Sequence, residues 1–325
     1  MFEHIATTML TSWPIAVSSD LGNWGVPLAI VGGALRVSAP YLFVSLGETL
    51  TEKSGRINLG LEGTLMMSAM TAYAVSSLSH SAVIGVLAAA AIGALLGAIH
   101  AFLCGKPRVN DIAVGIAMMV FGIGLAQFIG KPFIQPKSPP AKFPEISLGF
   151  WSSSDQIRAN LQINVLLVVG ILCVPLITWI LKNTRWGLIL RSVGENADTA
   201  RAMGYSVNQV RLLATMAGGA LAAIGGAFLT LSMTQGWNDK LANGTGLMAV
   251  ALVIFARWKP ANCLWAALLF GGAGAIAPAL QSVNITHGRY LFQMVPYALT
   301  LAIMIATSSP KRQMVGIPDE LMRAR

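Results

Sequence analysis

Charge is what this sequence has least of. Only 11% of its 325 residues are Asp, Glu, Lys or Arg, and 55% are hydrophobic; soluble domains carry about 25% charged residues. A soluble chain so poor in charge would expose very large apolar patches, so the composition predicts an all-α polytopic membrane protein. Cysteine is scarce too. Cys104, Cys173 and Cys263 each stand alone in an apolar run, which excludes a CxxC metal or disulfide framework and reads as core packing. His4, His80, His100 and His287 are scattered, and neither HExxH nor Gly-x-Ser-x-Gly occurs. Gly105-Lys106 and Gly130-Lys131 are each followed by Pro and lack the upstream Gly, so there is no P-loop. These absences predict a chain with no catalytic residue, no metal, no cofactor of its own and no nucleic-acid partner. A row of intramembrane carboxylates, which a proton-coupled carrier would need, is also missing. No charged n-region with a short apolar core and cleavage site opens the chain, so no cleaved signal peptide is expected.

What is present is a series of apolar blocks, at roughly 27–46, 57–78, 82–104, 111–130, 163–181, 212–235, 241–256, 261–281 and 290–307. They predict about nine transmembrane helices, a span needing about 20 apolar residues. Residues 1–26 hold no such run and read as an interfacial segment, 27–310 as the transmembrane domain, and 311–325 as a cytoplasmic tail. Alternating the blocks sorts the net charge of +9 by side. One side receives fifteen Lys and Arg, from 53–56, 106–108, 182–211, 257–259 and the C-terminus. The other receives six: Lys131, Lys137, Lys142, Arg158, Lys240 and Arg289, with Arg36 inside the first span. Basic loops stay inside, so the fifteen are assigned to the cytoplasm. Trp179, Trp186, Trp258 and Trp265 bracket inner boundaries as interfacial aromatics. The Pro- and Ser-rich outer loop 131–161 reads equally as a binding surface or a connector. Gly63-Thr64-Leu65-Met66 is echoed by Gly246-Leu247-Met248 in the opposite orientation, as in an inverted repeat, although low-complexity bias produces such echoes as well.

The most punctuated stretch is the polar island 185–212. Asn196 is placed to cap a helix over about 197–203, with Asp198 in its first turn and Gly204 as its stop. Ser206 and Gln209 then read as a capping box opening the next apolar helix. A two-turn helix cannot hold itself together in water, so the island is either a solvated loop or an element that docks on a partner.

Polar residues inside the blocks are few. In GETLTEKSGRINLGLEG, 47–63, three glycines favour a broken helix, and Asn58 and Glu62 stand at its entrance. Glu62 reads as a functional carboxylate, or as a partner of Arg56, Arg36 or loop amides. Asp111 is placed to cap the fourth block. Gln127, and Gln235, Trp237, Asn238 and Asp239 after the sixth block, would line a path for a neutral solute or mark the outer rim.

Two segments carry a family resemblance: GETLTEKSGRINLGLEGTLMM, 47–67, and WGLILRSVGENADTARAMGYSVNQVR, 186–211, continuing through 218–227, with Arg257-Trp258-Lys259-Pro260 fitting as well. Over about residues 27–310 the chain resembles permease subunits of bacterial ABC importers of the ribose, branched-chain amino acid and nucleoside branch. It is most similar to the smaller permease of nucleoside uptake systems. The resemblance implies that Gly194, Glu195, Asn196, Asp198, Ala200, Met203 and Gly204 form a cytoplasmic coupling helix, between the fifth and sixth spans, that docks on an ATPase subunit. It places Asn58 and Glu62 beside the translocation path; Gln127 and Asn238 remain candidates from their polarity alone. It also implies an ATPase partner holding ATP and Mg, a second permease that is a longer paralogue or this chain itself, an extracytoplasmic binding protein, and residence in the lipid of a bacterial inner membrane. A nucleoside is the expected solute, ahead of simple sugars and a flavin-like vitamin, with an ion-coupled secondary transporter as the rival reading.

Overall fold

The computed structural model describes residues 25–134, 140–141, 143–147, 161–239, 241–282, 291–292, 294–307 and 317–323. The expectations for the first 24 residues, for most of the loop 131–161 and for Lys240 lie outside these described residues.

Among the described residues, eight of the twelve α-helices come from the first eight apolar blocks: α1 (Gly25–Lys53), α2 (Leu61–Ser79), α3 (Ala82–Cys104), α4 (Asp111–Gly130), α5 (Val165–Asn183), α8 (Val207–Phe228), α9 (Thr245–Ala256) and α10 (Pro260–Ser282). Between α5 and α8 lie α6 (Arg185–Glu195) and α7 (Ala197–Ala202); α11 (Val295–Thr307) and α12 (Asp319–Arg323) follow. A π-helical turn, Leu229–Thr234, ends α8. Two short strands, β1 (Glu145–Ser147) and β2 (Gln162–Asn164), pair antiparallel with Ile146 opposite Ile163.

Six helices are long and apolar enough to cross a membrane among the described residues. Three of the nine blocks fall short of that measure. α2 is long enough but rich in Ser and Thr, with Glu62 in its first turn, and it is buried along most of its length. α9 and α11 have 12 and 13 residues, or about 18–20 Å at 1.5 Å per residue.

One boundary moves substantially. The first apolar block ends at residue 46, and the stretch 47–63 that follows it is expected to be broken or unwound. The helix instead runs to Lys53, and the side chains of Glu48, Thr49, Thr51 and Glu52 are buried. The turn 54–60 then doubles back along the end of α1, so that the Asn58 amide meets the Glu48 carboxylate.

The centre of the bundle is α8, packed against α1, α2 and α3. Small residues allow this. A Cβ on Gly218 would lie 2.5 Å from the Gly47 carbonyl, and one on Gly93 would run into the Gly219 carbonyl and the Ala223 methyl. Lipid tails are as apolar as Leu, so close backbone approach is what holds such helices together.

Among the described residues, several that charge sorting assigns to the inner side meet at one end. Arg56 meets Asp111, Arg211 meets Ser54 and Glu320, and Glu52 meets Trp258. Trp179, Trp186 and Trp265 are exposed. Trp258 is not: it is 4% exposed and bonded to Glu52, so it anchors a turn and does not lie at a lipid surface.

The crowding at Gly218 gives a test. Gly218→Val should destabilise the detergent-solubilised protein by about 1–3 kcal/mol or more, the usual cost of overpacking, read as a lower Tm. Gly124→Val, where nothing lies within 4 Å of an added Cβ, should leave Tm unchanged.

Candidate functional site

The site is built from helix breaks. A chain that stops being helical inside an apolar bundle leaves N–H groups that need acceptors. At the first break Asn58 donates its backbone N–H to Glu48 Oε1 at 2.8 Å, and its side-chain oxygen accepts the Gly60 N–H at 2.9 Å. His100 Nε2 reaches the Ile57 carbonyl at 3.1 Å. Glycine permits the break to pack: Gly60 and Gly63 abut Met118 and Met119, and Gly115 abuts Leu59.

Glu62 serves a second break. Its Oε1 accepts the Gly244 N–H at 2.6 Å and its Oε2 the Gly246 N–H at 2.7 Å. Gly244 is in the left-handed region at φ 83, which favours glycine, and it starts α9. A carboxylate against a helix N-terminus meets both free amides and the positive end of the dipole. Of the partners expected for Glu62, the loop amides are therefore the ones found. Arg56 instead pairs with Asp111 at 2.5 Å. The first turns of α2 and α9 thus meet at Glu62, with Gly246 abutting its backbone. From there α2 runs to Ser76, which bonds Ala141 in the segment between α4 and α5, and α9 runs the other way to Trp258.

A third carboxylate, Glu52, accepts the Trp258 indole N–H and holds the turn between α9 and α10, where Arg257 and Trp258 both have positive φ. Sequence reasoning missed Glu48, Glu52 and His100. The signal was present in the i, i+4 spacing of Glu48 and Glu52, which puts both on one face if the helix continues.

Two helix starts differ from expectation. Asn110, not Asp111, caps α4, accepting the Ile112 and Ala113 N–H groups; Asp111 is taken by Arg56. At α8 the side chain of Ser206 makes no cap, and its hydroxyl instead donates to Gln209 Oε1 at 2.5 Å.

The polar island forms a foot. Thr184 caps α6 at the Gly187 N–H, a helix the sequence reading did not separate from the island. Asn196 caps α7 at the Asp198 and Thr199 N–H groups, both at 3.0 Å. Ala197 and Ala200 face inward with Val193, Val207 and Val210. Gly194 is buried against the Lys53 carbonyl, with no room for a Cβ. Glu195, Asp198, Met203 and Gly204 lie on the exposed side, Gly204 at φ 88. The foot therefore rests directly on the end of α1, next to the first break.

The other two path candidates meet elsewhere: Gln127 Nε2 donates to the Asp239 carbonyl at 3.4 Å, next to Asn238. Trp237 packs on Gly130 beside them. At the Arg56 end, a cavity of about 580 Å³ opens between the first break, the start of α4, the second half of α9 and α12. Glu52, Arg56 and Asp111 give it a polar wall; Leu59, Val250 and Ile254 give it an apolar one.

A bundle of apolar helices interrupted by carboxylate-capped breaks defines a multi-pass membrane protein of the transporter class. The family described as branched-chain amino acid transport system / permease component matches residues 30–304, and the chain belongs to this family of ABC transporter permeases. A Haloferax volcanii protein provisionally named as a glucose ABC transporter permease is 30% identical, over 91% of this chain and 96% of its own. The guanosine ABC transporter permease of Bacillus subtilis is 30% identical, over 84% of this chain and 89% of its own. The nucleoside ABC transporter permease of Lactococcus lactis is 27% identical, over 85% and 90%.

Two variants test the caps. Glu62→Gln replaces one of two amide acceptors with a donor and should cost about 1–3 kcal/mol, seen as a lower Tm in detergent. Asp111→Ala strands the Arg56 charge and should cost about 3–5 kcal/mol, whereas Asn110→Ala should cost about 1 kcal/mol. An equal loss for the two neighbours would contradict the assignment of Asn110 as cap and Asp111 as ion-pair partner.

Proposed function

We propose that this chain is one of two permease subunits of an ABC importer for nucleosides. In this reading α7 and its exposed side, Glu195, Asp198, Met203 and Gly204, lie in the cytoplasm and dock on an ATPase subunit that holds ATP and Mg. The observation that carries the reading is the seat of the foot. A short helix capped by Asn196 rests through Gly194 on the end of α1, next to a break that leads to the Glu62 junction. A push on α7 reaches the broken helices through contacts that cannot be compressed.

The 580 Å³ cavity, within the range of small-molecule sites, is proposed as the inner mouth of the path in this chain. Asn58 and Glu62 support its wall, since both are buried with their oxygens committed to backbone amides. Gln127 and Asn238 are proposed to stand towards the outer mouth. All nine apolar blocks are proposed to cross or enter a bacterial inner membrane, with the second permease and an extracytoplasmic binding protein completing the path.

Nucleosides are favoured because two relatives matched along most of their length are named for guanosine and nucleosides. Glucose is the second reading, supported by the Haloferax volcanii relative at the same identity. Both solutes are uncharged and rich in hydrogen-bonding groups. Proteoliposomes holding the assembled transporter and its binding protein should accumulate radiolabelled guanosine with ATP, and excess glucose should not compete. Uptake by the chain alone under an ion gradient would overturn the importer reading. Glu195→Arg with Gly204→Pro should abolish uptake and leave the protein inserted, the proline being incompatible with the φ of 88 at residue 204. Undiminished uptake in that double variant would rule out the foot as the contact.

A further inference from the structure

The C-terminal helix α12 has a partner set that no sequence motif announces. Glu320 Oε1 accepts the N–H of Ala197, the first residue of α7, at 3.2 Å. Its Oε2 accepts from Arg211 Nη2 at 2.9 Å. Arg211 Nε in turn donates to the Ser54 carbonyl at 3.1 Å, at the first residue beyond α1. The cluster is enclosed: the Arg211 and Glu320 side chains are 13% and 16% exposed. Gly55, at φ 82, leaves room for both, because a Cβ there would lie 2.9 Å from the Glu320 Cβ and 3.1 Å from Arg211 Nη2.

The arrangement completes the start of α7. Asn196 supplies an acceptor to the amides of Asp198 and Thr199, and Glu320 supplies one to Ala197. It also joins three pieces of chain that are far apart in sequence: the foot, α8 and the turn after α1. Leu321, beside Glu320, is buried where α12 packs against α6.

We propose that Glu320 is a positioning residue for energy coupling: the C-terminal helix clamps α7 to Arg211 and, through Arg211, to the first helix break. A displacement of the foot then reaches the break by two routes, the Gly194 seat on Lys53 and the Glu320–Arg211 clamp. The inference rests on the reading of α7 as the ATPase-docking helix. Without the clamp α7 would still be capped by Asn196 and exposed for docking, but it would tilt on its seat and absorb part of the displacement.

The test uses the assembled transporter in proteoliposomes, with guanosine as the solute, or glucose if that is what the wild type accumulates. Glu320→Ala should retain the ATPase subunit and its basal hydrolysis, while ATP consumed per solute imported rises by about fivefold or more. Hydrogen exchange at the Ala197 amide should quicken by about tenfold or more, as expected when a bond to a charged acceptor is lost. Arg211→Met should uncouple similarly, and the Glu320→Ala, Arg211→Met double variant should be no worse than the stronger single one, as for two members of one unit. If Glu320→Ala does not insert, Glu320→Gln carries the comparison. It keeps an acceptor for Ala197 and breaks the ion pair, so uncoupling without faster Ala197 exchange is expected. Unchanged stoichiometry in the inserted variants, or additive losses in the double variant, would overturn the clamp. Cross-linking of residue 203 to the ATPase in the wild type separates the two readings. With that cross-link present and coupling intact in Glu320→Ala, only the clamp fails; without the cross-link, the docking assignment fails first.

Discussion

Backbone amides at broken helix ends need acceptors where water is scarce, and that requirement shapes this molecule. Two carboxylates meet it, and a third serves a buried indole N–H in the same way. Glu48 takes the amide of Asn58, Glu62 takes those of Gly244 and Gly246, and Glu52 takes the indole N–H that fixes the turn before α10. An unsatisfied polar group in hydrocarbon costs several kcal/mol, so each break stands only with its carboxylate in place. These four bonds tie α1, α2 and α9 into one unit.

Glycine supplies the other half of the arrangement. Where a carboxylate must reach an amide, the backbones have to approach closely, and Gly246 against Glu62 and Gly194 against Lys53 are points where a methyl group would not fit. These contacts make the inner end a stiff assembly in which the foot, the first break and the C-terminal helix share neighbours. Stiffness is what the proposed coupling requires, since a soft contact would absorb a displacement of the foot instead of passing it on.

Much of this was visible beforehand. The ends of α3 and α4 fall where the apolar blocks end, and Asn196 caps α7 as its position in the polar island indicates. The resemblance on 47–67 and 186–211 agrees with the family matched across 30–304. Illegible features share one property, which is a partner distant along the chain. Glu48 and Glu52 drew no notice because the elements packed on α1, namely α8, α10 and the returning turn, come from elsewhere in the sequence. Asp111 looked like a cap because its competing partner, Arg56, is 55 positions away. Trp258 looked interfacial for the same reason.

The sequence by itself determined that the chain lives among apolar helices, where α3 and α4 begin and end, and that a short capped helix interrupts it between 185 and 212. Those are consequences of local periodicity, capping and hydropathy, which act over a few residues. Only the tertiary structure decided which acceptor serves which amide: Glu62 for α9, Asn110 and not Asp111 for α4, Glu320 for α7. A hydrogen bond forms by proximity in space, and proximity between residues 62 and 244, or 197 and 320, exists only once the helices have packed.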